Sequence, residues 1–90
     1  MKKGLRNVFL SMSSTELRKV CDIYVQKDIG LQMEMDFYKE RMIKYCFETP
    51  DVEKWKNSHN SYHKALVEKN DNKEEWNCLK KVAKYRKIKL

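Results

Sequence analysis

Hydrophobic positions recur at spacings of three and four along most of this chain, the mark of helices that each bury one face. The first run begins behind Ser13-Ser14-Thr15-Glu16, where a hydroxyl and a carboxylate three residues on have capping-box spacing. Leu17, Val20, Cys21 and Tyr24 follow on one face, and Gly30 supplies a left-handed stop, so the pattern predicts a helix over about 14–29. Leu31, Met35, Tyr38, Met42 and Tyr45 mark the inner face of a second helix over about 31–48. Thr49 then reads as an N-cap, with Pro50 at the first helical position, where a missing N–H is tolerated. The third helix, about 50–69, turns Val52, Trp55, His59, Tyr62 and Leu66 inward. Asn70-Asp71-Asn72 reads as a polar turn, and Asn72 with Glu75 again has cap-and-carboxylate spacing. A fourth helix, about 73–88, carries Trp76, Leu79, Val82 and Ala83 inward. Residues 1–12 fit a frayed arm, a short helix or an isolated strand. The expected architecture is all-α: one compact domain, 1–90, of three to four helices with a basic C-terminal helix.

Composition narrows the class. Ninety residues are too few for a dinucleotide-binding sheet or an eight-stranded barrel. With two glycines and no Asn-Gly or Asp-Gly pair, β-hairpins lack their turn residues. Hydrophobic residues are 41% and charged residues 37%, which fits a globular chain with a heavily solvated surface. No apolar run approaches the eighteen or so residues of a membrane span, and Val8-Phe9-Leu10 is too short for the core of a signal peptide. Three separated cysteines, Cys21, Cys46 and Cys78, suit a reducing compartment, so a cytoplasmic protein is expected. The lysine-over-arginine bias is that of AT-rich coding, as in many bacteriophages and some other viruses.

Candidate chemistry is sparse. Cys46, His59 and His63 have the spacing of half a zinc finger, but Ile43 stands where the other half would place a cysteine. Two neutral imidazoles at the edge of a helical seam are the expectation, and neither metal nor cofactor is expected. No nucleophile, base and orienting group come together in the pattern, and there is no glycine-rich phosphate loop. The expected protein is not an enzyme.

Charge is more informative. Residues 70–90 carry seven basic and three acidic side chains, residues 1–12 three basic and none acidic, and the stretch between balances to zero. Helical spacing sets Lys73, Lys80, Lys84 and Lys87 on one stripe, with Lys81 beside it and Lys2, Lys3 and Arg6 as a supporting arm. Such a ladder suits a phosphate backbone, where counterion release favours binding. With few arginines and no recognition helix, strong base specificity is not expected; Glu34, Asp36 and Glu40 on the second helix exclude a helix-turn-helix reading. A merely solvated, lysine-rich face is the plain alternative, and an acidic protein or a membrane surface is the third.

A competing signal lies on the second helix. Met33 and Phe37 sit opposite its inner face, with Ile43 and Phe47 between the two faces, so the helix is apolar nearly all round. Leu5, Val8, Phe9 and Leu10 are the expected cover for Met33 and Phe37. Left uncovered, the patch becomes a surface for a partner protein (a host protein, if the chain is viral) or for a homodimer.

Overall fold

The computed structural model describes residues 4–90. Among these residues there are three α-helices and no strand: α1 Leu5–Ser11, α2 Ser14–Ile43 and α3 Val52–Tyr85, with a π-helical turn Lys44–Glu48 closing α2. The fold is all-α. The four long helices expected from the sequence are fused into two.

Each fusion has a local cause. Ser13 caps α2 as its spacing implied: its Oγ accepts the Glu16 N–H at 3.2 Å and donates to the Glu16 carboxylate at 3.1 Å. Gly30, however, does not end the helix. A glycine in a helix interior costs about 1 kcal/mol relative to alanine, and the burial of Leu31 and Met35 just beyond it holds the backbone helical. Nor do Asn70-Asp71-Asn72 form a turn. Asn72 is 1% exposed, and its Nδ2 donates across to the Tyr24 carbonyl at 3.0 Å. A side chain engaged with the neighbouring helix is not free to cap its own.

At the far end Thr49 N–H donates to the Lys44 carbonyl at 2.8 Å, a five-residue step that widens the last turn of α2. Asp51, rather than Thr49, caps α3, accepting the Lys54 N–H at 3.1 Å, and Pro50 lies in the connection before it. The helix of 30 residues and the helix of 34 thus fold back on one another. Tyr24 pairs with Asn72 and Asp28 with Lys69, so numbers rise along one helix as they fall along the other.

The seam has a strict three-four repeat. On α2 it runs Leu17, Cys21, Tyr24, Asp28, Leu31, Met35, Tyr38 and Met42; on α3 it runs Trp55, Ser58, Tyr62, Ala65, Lys69, Asn72, Trp76, Leu79 and Ala83. None of these side chains is exposed. This is antiparallel coiled-coil packing. Two apolar clusters, one around Leu17, Leu79 and Val82 and one around Leu31, Met35 and Ala65, flank a polar layer. In that layer Lys69 Nζ lies 3.9 Å from the Asp28 carboxylate and also donates to Gln32 Oε1.

The molecule measures 53 × 23 × 15 Å with a radius of gyration of 17.5 Å, against about 12 Å for a compact chain of this length. It is an elongated hairpin, not the compact bundle expected. Residues 5–11, unassigned from sequence, form a helix whose Phe9 packs into the first cluster, edge-on to Tyr24 at 6.4 Å. The Arg86 guanidinium donates to the carbonyls of Phe9 and Met12 and so satisfies the end of α1.

α3 stops at Tyr85, short of the expected 88. Ile88 N–H donates to the Ala83 carbonyl at 2.8 Å and Lys87 N–H to the Lys84 carbonyl at 3.2 Å, a Schellman cap with Lys87 left-handed at φ 57°. Two outcomes follow. Lys87→Gly relieves the left-handed strain and raises stability by about 0.5–1 kcal/mol in chemical denaturation, whereas Lys84→Gly, inside the helix, lowers it by about 1 kcal/mol. Replacing Asp28 and Lys69 together by leucine leaves stability equal or higher by about 1 kcal/mol, while Asp28→Leu alone destabilises by leaving the half-buried ammonium with Gln32 but no counter-charge; thermal melts of the two variants and the wild type check the order.

Candidate functional site

The hairpin brings the two ends of the chain to one end of the molecule. α1 lies against α3, and Arg18 Nε on the first turns of α2 donates to the Lys89 carbonyl at 2.9 Å. Segments 4–22 and 76–90 together hold nine basic side chains against two acidic ones, Glu16 and Asp22. The body between them, 23–75, holds nine basic and eleven acidic. Positive charge is therefore polar along the long axis. Of the nine, only Arg86 is half-buried, and its Nη1 donates to carbonyls at the end of α1; the others are exposed.

The expected phosphate ladder is partly rearranged. Lys73, Lys80 and Lys84 are exposed on α3 and share a stripe by helical spacing, with axial steps of about 10 and 6 Å. Lys80 is fixed by its neighbour, with Nζ 4.0 Å from the Trp76 ring centroid. Lys87 leaves the stripe, because the left-handed cap turns the chain away at Arg86. Lys81 turns to the adjoining side, where it lines a cleft of about 400 Å³ with Arg6, Glu74, Asn77, Cys78 and Val82. The Arg6 guanidinium stands 6.0 Å from the Tyr85 ring. Lys2 and Lys3 lie outside the described residues. Arg18 and Lys19 belong to a stretch whose charge balances along the sequence, and they join the basic end because α2 begins there.

The outer side of α2 is open. Met33 is 67% and Phe37 52% exposed, and Ile43 and Phe47 are exposed as well. The expected cover is absent: Phe9 is buried between Leu17 and Leu79, Leu5 and Leu10 pack against that same cluster, and Val8 faces outward. α1 goes there because Phe9 fills the apolar end of the seam, a deeper site than the convex back of a single helix.

Trp55, His59 and His63 form a ladder along α3, with ring centroids 5.0 Å apart for Trp55 and His59 and 4.5 Å for the two histidines. Cys46 is exposed, and among the described residues no group of three His, Cys, Asp or Glu side chains could hold a metal ion. No described helix is long and apolar enough to cross a membrane.

A second cationic feature, not legible in the sequence, sits near the turn of the hairpin. Tyr38, Arg41, Tyr45, Lys54, Asn57, Ser58 and Ser61 line an open cleft of about 330 Å³ without a carboxylate. The Tyr45 hydroxyl accepts from Arg41 at 3.4 Å. That bond, more than the nearby charges of Arg41, Lys54 and Lys44, draws its pKa below the usual phenol value. Tyr45 was expected to be an inner-face residue; the π-turn places it at the rim.

No protein-family model, curated protein or solved structure matches the chain.

Proposed function

We propose that this is a small, non-enzymatic regulatory protein that binds nucleic acid through phosphate contacts at the basic end of the hairpin. The observation that carries the reading is the convergence of nine basic and two acidic side chains at that end, on segments from both termini. Lys80 and Lys84 are the backbone contacts along α3 at the basic end, and Lys73 extends their stripe one step into the body, with Lys81 and Arg6 on the adjoining face and Arg18 and Lys19 at the start of α2. Lysine supplies charge without the planar fork that reads bases. Arg86, the arginine nearest the lysine stripe, is half-buried and directs its Nη1 to carbonyls inside the protein. The binding is therefore electrostatic and weakly selective among sequences.

A second reading has its own support. The exposure of Met33 and Phe37 suits an adaptor or inhibitor that captures a protein, and capture from source-cell lysate before and after nuclease treatment separates the two classes.

On duplex DNA the seven phosphate contacts give a slope of log affinity against log salt of about −6. Lys80→Gln, Lys81→Gln and Lys84→Gln combined reduce that slope by nearly three without loss of helix, because all three side chains are exposed. Fluorescence anisotropy of a labelled duplex over a salt series measures both. Affinity indifferent to salt, or to the triple substitution, sinks the proposal.

A further inference from the structure

We infer that two copies of this chain pair back to back along α2, antiparallel, about a twofold axis through Met33. α2 exposes five large hydrophobic side chains: Ile23, Ile29, Met33, Phe37 and Ile43. Their positions are symmetric. Ile29 and Phe37 lie four residues either side of Met33, and Ile23 and Ile43 lie ten either side. When two helices run antiparallel about a twofold axis at Met33, each residue faces the one equally far on the other side of that centre. Ile29 then packs beside the partner's Phe37, and Ile23 and the partner's Ile43 stand level on the two flanks of the seam, a little over a fifth of a turn from its centre, each arrangement made twice. A twofold pairing centred on Met33 sets these apolar positions against one another.

The charges agree with this register. Asp22 falls opposite the partner's Lys44, giving two unlike pairs, and Gln26 opposite the partner's Glu40 places an amide donor against a carboxylate. Lys27 and Lys39, which would face like charge, sit about a third of a turn from the centre of the seam and point away from it. The antiparallel arrangement also separates the strongly basic ends. Each lies beside the partner's hairpin turn, where residues 44–56 hold three basic and three acidic side chains, whereas parallel pairing would press both basic ends together. Because Met33 points away from α3, the lysine stripe remains free.

Ile23 and Ile43 stand about 30 Å apart along the axis. Contact over that length lies near the lower edge of specific interfaces, so the dimer should dissociate on dilution. The inference does not rest on nucleic-acid binding, and its test needs none.

Sedimentation equilibrium of the full chain from micromolar to millimolar concentration tests it. The wild type should show a monomer–dimer equilibrium, and Phe37→Glu should weaken it at least about tenfold while circular dichroism keeps its helix. Asp22→Lys and Lys44→Asp should each weaken the dimer, and the two together in one chain should restore it, since every contact then carries the reversed pair. A chain still monomeric at millimolar concentration overturns the inference. So does a dimer indifferent to Phe37→Glu, or a double variant no better than the singles. A chain that remains monomeric yet captures another protein through Phe37 assigns the face to that protein instead.

Discussion

The structure depends on the register of one helix against the other, and a polar layer in the seam specifies that register. Leucine, methionine and alanine layers tolerate sliding by a heptad. Asp28 beside Lys69, and Asn72 donating to the Tyr24 carbonyl, do not, since any slip would strand half-buried charge or a buried amide. Asn72 Oδ1 and Trp76 Nε1 are buried without a partner among the described residues, so the layer costs stability. What it supplies is one alignment in place of several.

That alignment decides where charge goes. With Asp28 level with Lys69, the start of α2 reaches the end of α3, and α1 can set Phe9 between Leu17 and Leu79. Segments that are weakly informative in the linear sequence become a single basic end. Lysines near the C-terminus of α3 also complement the negative end of its dipole, so their placement favours folding, apart from the binding proposed for them. A two-helix hairpin leaves the back of each helix open, and on α2 that back is apolar. The basic end and the apolar back are separate surfaces, so the proposed binding and the inferred pairing do not compete.

Much of the fold was legible in the sequence. The Ser13–Glu16 cap and the inner faces Leu17–Tyr24 and Leu31–Met42 read correctly because they are local and periodic. Gly30 and Asn70-Asp71-Asn72 were misread because their local preferences, about 1 kcal/mol each way, are weaker than burial of the residues around them. The missing signal was continuity: the three-four spacing runs unbroken through Asp28 and through Lys69 and Asn72 once polar residues are allowed in the seam. The stripe of Lys73, Lys80 and Lys84 followed from helical spacing, but the loss of Lys87 did not, since a left-handed lysine has no sequence mark. Arg18 and Lys19 were hidden by summing charge along the chain, where only folding shows which segments are neighbours. The openness of Met33 and Phe37 turned on where Phe9 docks, a tertiary choice that periodicity does not reach.

The most direct test is a distance. Spin labels at Lys19 on α2 and Lys84 on α3, in doubly labelled chains diluted into unlabelled protein, report whether the two chain ends share one end of the molecule. The account predicts a short separation, that of two packed helices with axes roughly 10 Å apart and an axial offset of about 10 Å, plus the label arms. A separation approaching the 53 Å length of the molecule would contradict it, for the chain would then be open and the basic end would not exist.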